Sequence, residues 1–374
     1  MKNFKSLQLC IFLFCTMIPF GFAETVTVDD DGPADFNNIQ DAINYSWDGD
    51  TVLVYPGTDT HFHFNGRRIT LTSLNPDDEN IVKSTIITSG GGPNTCSVHF
   101  DFGEDSDSII TGFALVGNNV AINCTLSAPT ITKNIIMGNS EGTGIFYCDG
   151  IISNNIISDC SLGINSRKGV IKNNTIVGNK GGIGLGGDSY LSPQKTCVKN
   201  NIIANNSSYG LSCSLGYAIS DNSYNCFWDN NLNYGGIATA GTGDFWRDPL
   251  FAIAGYRSGI LTWIGGDYHL KSEAGRWTES GWVVDSITSR CIDAGDPADS
   301  LGLEPNPNGG RINMGAYGGT SQASKSSSGI IQPVCIHPPS MDTNNDCKID
   351  LADFAFFAGQ WLTCGYDIQG ACWE

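Results

Sequence analysis

The residues most specific for a chemical task stand in a twelve-residue segment near the end of this 374-residue chain. Side chains with oxygen atoms occupy positions 1, 3, 5, 9 and 12 of the segment: Asp342, Asn344, Asp346, Asp350 and Asp353. A calcium ion takes six to eight oxygen ligands, and a loop of this spacing wraps them around one centre, with the backbone carbonyl of Lys348 at position 7. The spacing therefore predicts a calcium site, and Ca²⁺ is the cofactor that the sequence indicates.

The same segment departs from the common EF-hand loop at two positions. Position 6 is Cys347, where glycine favours a sharp turn, and position 12 is Asp353, where a longer glutamate binds through both oxygens. A disulfide between Cys347 and Cys364 would compensate for the small core of this region. An acidic loop that caps a helix in solvent is the alternative, and five oxygens in frame favour calcium. The helix predicted after the loop has one apolar face: Leu351, Phe354, Ala358 and Trp361.

A second candidate group is basic and lies in the middle of the chain. Lys172 and Lys199 each stand two places before an asparagine that recurs along the sequence, and Arg167 and Lys168 lie nearby. If successive repeats stack, these residues form a strip that grips a polyanion or holds one lysine at a lowered pKa. Such a lysine removes the proton beside a uronic-acid carboxylate, as a polysaccharide lyase must. Ordinary solvated lysines are the alternative, and the frequency of surface charge favours them.

Two further groups give weaker signals. His61 and His63 alternate on one face of a predicted strand and offer imidazole ligands, but two histidines without a third ligand do not define a metal site. Several tryptophans are suited to stacking on sugar rings, although packing of a solenoid cap is the more common use of such residues. These are Trp228, Trp246, Trp263, Trp277 and Trp282.

A repeat predicts the elements that must position these residues. An asparagine recurs at intervals of 21, 19, 27 and 21 residues, at Asn134, Asn155, Asn174, Asn201 and, more loosely, Asn222. Each copy has short runs of β-branched residues broken by Asn and Gly, which tolerate left-handed backbone at tight bends. A fixed short period with strands and no helical stripe predicts a parallel β-helix. Because its coils lie about 4.8 Å apart, the asparagines are expected to form a ladder of amide hydrogen bonds.

The fold class is therefore all-β, a parallel β-helix with a small C-terminal α-helical calcium-loop module. Helical spacing from Phe36 to Ile43 predicts an N-terminal helical cap, since an open coil end exposes unpaired backbone. The aromatic-rich residues 240–320 are predicted to form the last coils and a terminal cap. The domains are a signal peptide (1–23), the β-helix with its cap (24–320), a linker (321–339) and the calcium module (340–374).

Charge and cysteine content limit the partners. The formal net charge of −18 argues against nucleic acid, which calls for basic patches. The apolar run of the signal is short for a membrane span, so we expect export without a span after cleavage, to the extracellular space or the cell surface. Cleavage of the predicted signal peptide removes Cys10 and Cys15, and the remaining 12 of 14 cysteines favour disulfides in an exported chain. Those inside the repeats favour a role as small buried hydrophobes: Cys124, Cys148, Cys160, Cys197 and Cys213.

Two resemblances follow from these motifs. The segment from Asp342 to Trp361 is similar to one repeat of a type I dockerin, whose loop also ends in Asp, which implies the calcium ligands named above and a cohesin-like protein as partner. Residues 25–320 resemble the right-handed parallel β-helix proteins of bacteria, a pectin-lyase-like superfamily. The matching features are the capped start, the Asn/Ile coils and closing phrases such as Asp248-Pro-Leu-Phe251 and Cys291-Ile-Asp-Ala-Gly-Asp296.

The second resemblance implies polysaccharide chemistry, because that superfamily contains lyases and glycoside hydrolases. The Asn-Thr-Asp and Gly-His-Gly segments of polygalacturonase-like hydrolases and the Arg-x-Pro-x-x-Arg segment of classical pectate lyases do not occur in the sequence. The prediction is a secreted calcium-binding β-helix protein that binds or degrades extracellular polysaccharide, with an acidic glycan and a lyase reaction considered first. A non-catalytic surface, adhesion or structural β-helix protein is the alternative.

Overall fold

The chain winds into a parallel β-solenoid of about nine turns. The computed structural model describes residues 23–90, 96–117, 119–138, 141–186, 195–214, 218–258, 262–326, 341–342 and 348–360. The predicted signal peptide, apart from Ala23, lies outside these residues. Each coil contributes one strand to each of three parallel sheets, in the order first, second, third sheet along the chain. The prediction of an all-β parallel solenoid is confirmed.

The strands of the three sheets are short. The first sheet contains β1 (Thr25–Val28), β2 (Thr51–Val54), β5 (Thr70–Ser73), β8 (Ile109–Thr111), β11 (Thr130–Thr132), β14 (Ile151–Ser153), β17 (Gly169–Lys172), β20 (Lys195–Lys199) and β23 (Ala218–Ser223). The second contains β3 (Gly57–Asp59), β6 (Thr85–Thr88), β9 (Ala114–Gly117), β12 (Ile135–Gly138), β15 (Ile156–Ser158), β18 (Thr175–Val177), β21 (Ile202–Ala204), β24 (Cys226–Trp228) and β26 (Phe245–Trp246). The third contains β4 (Phe62–His63), β7 (Cys96–His99), β10 (Val120–Asn123), β13 (Thr143–Phe146), β16 (Leu162–Ser166), β19 (Gly181–Leu185), β22 (Tyr209–Cys213) and β25 (Tyr234–Gly236).

The interior is filled by rows of β-branched residues in register between coils. Ile131 pairs with Ile152, Ile152 with Ile171 and Ile171 with Val198, and all four side chains are buried. Strand side chains alternate between two faces, so the repeat keeps one apolar residue of each strand inside every coil. Burial of each such side chain stabilises the fold by about 1.5–3 kcal/mol.

An asparagine ladder closes the corner between the first and second sheets. The amide Nδ2 of Asn134 donates to Oδ1 of Asn155 at 3.1 Å, and the pattern continues from Asn155 to Asn174 and from Asn174 to Asn201 at 3.0 Å. The residue before each rung, such as Asn154 at φ +57°, takes left-handed backbone that turns the chain. The predicted ladder is confirmed for these four residues.

The next rung differs from the prediction. Nδ2 of Asn201 donates to Asn225 at 3.0 Å, and the ladder ends on the carboxylate of Asp244. Asn222, which the repeat assigns to this position, pairs with Val198 in the preceding strand instead. The physical reason is that Asn222 lies within β23, three residues before the corner, and a β-bulge opposite Thr196 and Cys197 adds one residue to that strand.

A second ladder, not predicted from the sequence, closes the corner between the second and third sheets. Asn179 donates through Nδ2 to Asn206 at 3.1 Å, and Asn206 donates to Asn230 at 2.8 Å. Cys160 occupies the start of this row, and its backbone N–H donates to Asn179. Two corners of these coils are thus fixed by side-chain amides that satisfy buried backbone groups.

Three helices accompany the strands in the part of the chain that the structure describes. α1 (Ile39–Tyr45) begins after Asn38, whose side chain accepts from the N–H of Asp41, and buries Ile39, Ala42 and Ile43 in the core of the coils. Its role as a cap of the first coil stays a prediction. α2 (Glu79–Ser84) precedes β6, and α3 (Leu351–Gln360) follows the predicted calcium loop.

The segment from Phe251 to Ser326 lies along the outside of the second sheet, which differs from the predicted end cap. It contains three antiparallel pairs: β27 (Phe251–Ile253) with β30 (Asp267–Leu270), β28 (Tyr256–Ser258) with β29 (Thr262–Ile264), and β31 (Arg276–Thr278) with β32 (Gly281–Val283). Apolar residues on the outer face of the second sheet pack against this segment in a second core. The physical reason is that Ile156, Val177 and Ile202 make the outer face apolar and it must be covered.

The predicted linker begins too early. Ala323, Ser324 and Ser326 are buried, and the N–H of Lys325 donates to the carbonyl of Gly275. The packed C-terminal segment therefore extends to residue 326, and residues 327–339 of the predicted linker lie outside the described part of the chain.

The cysteines of the coils that the structure describes are not joined in disulfides. Cys124, Cys148, Cys160 and Cys213 are buried, as the sequence favours, while Cys197 is half-buried. Cys347 and Cys364 lie outside the described residues. Among the helices that are described, none is long and apolar enough to cross a membrane.

Candidate functional site

The predicted basic strip is brought together, and Arg167 and Lys199 in it are already paired with carboxylates. Lys172 and Lys199 are in-register neighbours on β17 and β20. The Nζ of Lys199 lies 2.9 Å from Asp296 and 2.8 Å from Asp299, both in the C-terminal segment. Burial alone lowers the pKa of Lys199, but its hydrogen bonds to the two carboxylates outweigh burial and raise that pKa above its usual value. The expectation of a lowered pKa is therefore wrong for Lys199.

Arg167 and Lys168 lie between β16 and β17 and share one carboxylate. Arg167 donates through Nη2 to Asp149 at 2.9 Å and lies over the ring of Tyr147, while the Nζ of Lys168 is 3.8 Å from Asp149. These contacts hold the turn between coils. None of them leaves a cationic groove suited to a polyanion.

The C-terminal segment covers the corner next to Lys199. Asn154 donates to the carbonyls of Ala316 and Gly318, and Asn173 donates to the carbonyl of Asn313. Asn154 and Asn173 have left-handed backbone at the corner between the first and second sheets. These turn residues therefore also anchor the C-terminal segment. This face of the solenoid is consequently occupied by the protein's own chain.

An open cavity of about 670 Å³ lies between α2 and the C-terminal segment. We call it the lateral cleft. One wall is formed by the turn at residues 75–78 and by helix α2. The other wall is formed by β30, the β31–β32 hairpin and Gln322. Its lining residues are Asn75, Asp77, Asp78, Glu79, Asn80, Lys83, Gly266, Asp267, His269, Trp277, Thr278, Glu279, Ser280 and Gln322.

The β31–β32 hairpin presents an aromatic ring at the cleft. Trp277 is half-buried and stands edge-on to Trp282, with ring centroids 5.5 Å apart at 75°. The Nζ of Lys325 lies 3.9 Å from the centroid of the Trp282 ring. This stack fixes Trp277 in place while part of its ring stays accessible.

The floor of the cleft is a chain of polar contacts. Nδ1 of His269 lies 2.7 Å from Oδ1 of Asp267, and the imidazole stacks on Tyr317 with centroids 3.6 Å apart. The hydroxyl of Tyr317 donates to Glu79 at 3.2 Å, which joins the floor to α2. Nε2 of His269 is shielded from solvent, so the imidazole supports the floor and does not present a proton to the cleft.

Asp267 is ionised at neutral pH. Burial works to raise the pKa of Asp267, but the hydrogen bond with His269 and the nearby guanidinium of Arg276 outweigh burial and hold that pKa below its usual value. Arg276 is itself bound to Asp285 through Nε at 3.0 Å. The cleft therefore contains a fixed negative charge at its floor.

The opposite wall is also acidic. Asp78 caps α2 by accepting from the N–H of Asn80, and Asp77 pairs with Lys133 at 2.6 Å. Glu79 pairs with Lys83 at 2.7 Å. Five carboxylate residues line the cleft in the described part of the chain. Lys133 and Lys83 neutralise Asp77 and Glu79, which leaves Asp78, Asp267 and Glu279 as its acidic groups, with Glu279 exposed at the rim. The cleft is suited to hydrogen-bond donors, and its charge repels polyanions.

The predicted calcium loop is described only in part. The carboxylates of Asp342 and Asp353, at positions 1 and 12, are buried, and Lys348 and Asp350 are exposed. Oδ2 of Asp353 accepts from the N–H of Asp350 at 2.9 Å. Asn344 and Asp346 lie outside the described residues.

Comparison with known proteins gives two findings. Residues 116–295, somewhat less than half of the chain, match the model of a family described as disaggregatase related. The crystal structure of pectate lyase Pel9A is similar in fold over 79% of this chain and 96% of that chain, with a TM-score of 0.42 and 12% identity. At that score the likeness carries no argument about the reaction. No curated protein sequence matches.

Sequence reasoning missed the lateral cleft because its walls are far apart along the chain. The contact between Gln322 and Asp77 joins residues separated by 245 positions. Two features of the sequence could have indicated the cleft: the alternation of Asp267 and His269 on one strand, and the short spacing of Trp277 and Trp282.

Proposed function

We propose that this protein is a secreted glycan-binding β-solenoid whose lateral cleft binds a polysaccharide without acidic groups. The observation that supports it is the combination, in one cleft, of the ring of Trp277 with a wall and floor of carboxylates. Sugar rings stack on aromatic faces, and their hydroxyl groups donate to carboxylates.

The charge of the cleft decides which glycan is proposed. Asp267 and Glu279 repel uronic acids, and Lys168 and Lys199 are paired with Asp149, Asp296 and Asp299. The acidic glycan considered from the sequence is therefore the less suited ligand. A neutral or amino-sugar polysaccharide fits the same surface.

The test is a binding titration of the mature chain with neutral, amino-sugar and uronic-acid oligosaccharides. Trp277→Ala is expected to weaken binding of the neutral or amino-sugar ligand about tenfold, which corresponds to about 1.4 kcal/mol. Trp47→Ala is the matched control, because Trp47 is exposed and lies outside the cleft. Equal binding by Trp277→Ala and wild type, or preference for uronic acids, would contradict the proposal.

A release assay separates binding from degradation. New chain ends with an ultraviolet-absorbing unsaturated product would indicate a lyase, and new ends without that absorbance a hydrolase. Binding without new ends would favour a non-catalytic surface protein.

We also propose that residues 342–353 bind Ca²⁺. The donor set fits a hard cation, since the side chains are carboxylates and amides and those of Asp342 and Asp353 are buried. Chelation is expected to increase hydrogen exchange in α3 and to leave the coils unchanged. Unchanged exchange in α3 would contradict calcium binding, and added Mg²⁺ is the control ion.

The same helix is our proposed contact for a cohesin-like partner. Leu351 and Phe354 of α3 are exposed apolar side chains of the kind that protein interfaces cover. Titration with a purified cohesin-type domain is expected to give binding that chelator abolishes. No binding in the presence of calcium would refute this partner.

A further inference from the structure

Two histidines and an aspartate meet on the outer face of the third sheet. His63 of β4 and His99 of β7 are in-register neighbours on successive coils, and their rings stack with centroids 4.1 Å apart at 10°. Asp101 follows β7 and reaches the same place. The sequence suggests His61 as the neighbour of His63, whereas the coils bring His99 beside it from 36 residues away.

The three side chains converge on one point. Nδ1 of His63 lies 3.4 Å from Oδ2 of Asp101, and one ligand atom from each of the three residues lies within 4.8 Å of the others. In a tetrahedral zinc site with bonds of about 2.0–2.1 Å, ligand atoms are about 3.3 Å apart. Closing the site therefore requires side-chain rotations that tilt the two stacked rings toward a common point and shorten the separations by up to about 1.5 Å.

The backbone under the site is held from two sides. Gln40 of α1 accepts from the N–H of His63 at 2.9 Å and donates to its carbonyl at 3.2 Å. The N–H of Phe64 donates to the carbonyl of His99 at 3.0 Å. Both imidazoles are half-buried and Asp101 is exposed, so an ion has access from solvent and the ligands start from fixed positions.

We propose that His63, His99 and Asp101 bind one divalent transition-metal ion of the Zn²⁺ class, with the remaining position open to water. Imidazole nitrogen suits Zn²⁺, Co²⁺ and Ni²⁺, whereas Ca²⁺ and Mg²⁺ take oxygen ligands. Two histidines and one carboxylate with an open position form a donor set that proteins use for such metals. The site is independent of the lateral cleft and of the calcium loop, and it holds whether or not the cleft binds glycan.

Cobalt titration of the mature chain tests the site, with excess calcium present to occupy the loop. One equivalent of Co²⁺ is expected to give visible d–d absorption without a thiolate charge-transfer band. His63→Ala and His99→Ala should abolish the absorption, and Asp101→Asn should weaken binding about tenfold or more. Asn123→Ala is the matched control, because Asn123 is the neighbour of His99 one coil further along and is expected to bind Co²⁺ as wild type does.

Two results would overturn the proposal. One is retention of the Co²⁺ absorption in both histidine variants. The other is a thiolate band that Cys96→Ser removes, which would place the metal on a cysteine. If the histidine variants lose their strand signal in circular dichroism, proton NMR of the wild type decides: Co²⁺ should broaden the ring signals of two of the five histidines, and unbroadened signals refute the site.

Discussion

Replacement of Asn225 by alanine tests the asparagine ladder at the place where sequence and structure disagree. The sequence repeat assigns the rung to Asn222, whereas the structure assigns it to Asn225. Asn225→Ala and Asn222→Ala are therefore matched variants three residues apart. Only one of them removes a buried amide that bridges two coils.

The hydrogen bonds of Asn225 give the magnitude. Its Oδ1 accepts from the backbone N–H of Asn201 at 3.1 Å, and its Nδ2 donates to the carbonyls of Val198 and Ser223. Alanine leaves that N–H without this acceptor, at a cost of about 1–3 kcal/mol, and each carbonyl loses about 1 kcal/mol. We expect the free energy of unfolding to fall by about 3–5 kcal/mol.

Asn222 is only half-buried, and the hydrogen bond from its Nδ2 to the carbonyl of Thr239 is replaceable by water. Its Oδ1 accepts from Nδ2 of Asn225, which keeps three other acceptors when Asn222 is replaced. The loss of the Asn222 side chain is expected to change the free energy of unfolding by less than about 1 kcal/mol. Urea denaturation followed by tryptophan fluorescence measures both variants, and hydrogen exchange of Asn201 locates the effect. Equal losses in the two variants, or a larger loss for Asn222→Ala, would refute the ladder assignment.

Three further predictions concern ties between distant parts of the chain. Lys199→Met leaves two carboxylates without their ammonium and should lower the free energy of unfolding by about 2–3 kcal/mol, whereas Lys172→Met should change it by less than about 0.5 kcal/mol. Burial raises the pKa of Asp244 from 3.8 to about 6, so the folded chain retains a proton that the unfolded chain has released. The contribution of this proton to the free energy of unfolding is complete below pH 4. The free energy of unfolding should therefore fall by about 1 kcal/mol between pH 5 and pH 7, and Asp244→Asn should remove this fall. Gly178→Ala should cost about 2–4 kcal/mol, because a Cβ at Gly178 would overlap the ring of Trp263. Gly310→Ala should cost only about 1 kcal/mol, because its Cβ would meet open space and the positive φ, which both glycines share, is the one source of strain.

Each of these has a result that contradicts it. Denaturation midpoints that are equal for Lys199→Met and Lys172→Met would mean that the ion pairs with Asp296 and Asp299 do not hold the segment. A stability profile between pH 5 and pH 7 that is the same for Asp244→Asn and wild type would exclude the proposed proton. Equal melting temperatures of the two glycine variants would mean that the ring of Trp263 does not pack on Gly178.

The predictable parts of this protein are those that repeat. Asn134, Asn155 and Asn174 are recognisable because each coil meets the same problem of a buried corner and solves it with the same residue. Asn225 was missed because the phrase Ile219-Ser-Asp-Asn222 resembles the phrase that ends at each rung, although in this coil Asn222 lies within the strand and pairs with Val198.

The ion pairs of Lys199 and the pairing of His63 with His99 could not be predicted, for a different reason. Asp296 and Asp299 neutralise Lys199 from about 100 residues away, and His99 reaches His63 only after the coil is closed. Contacts of this length depend on how the C-terminal segment folds back and on how many residues each coil inserts. Residue type and local period do not determine how the segment folds back or how long each coil is. Ion pairs between residues far apart in the sequence could therefore be identified only from the structure.

The position of the C-terminal segment sets an order of events during synthesis. The ribosome releases the coils before residues 251–326, so the apolar stripe of Ile156, Val177 and Ile202 meets water for the time needed to translate the remainder. The growing chain therefore exposes an apolar surface until residues 251–326 have been synthesised. A message truncated after the coils would yield a product with well-formed strands that associates with other chains, and quality control would recognise it by that stripe.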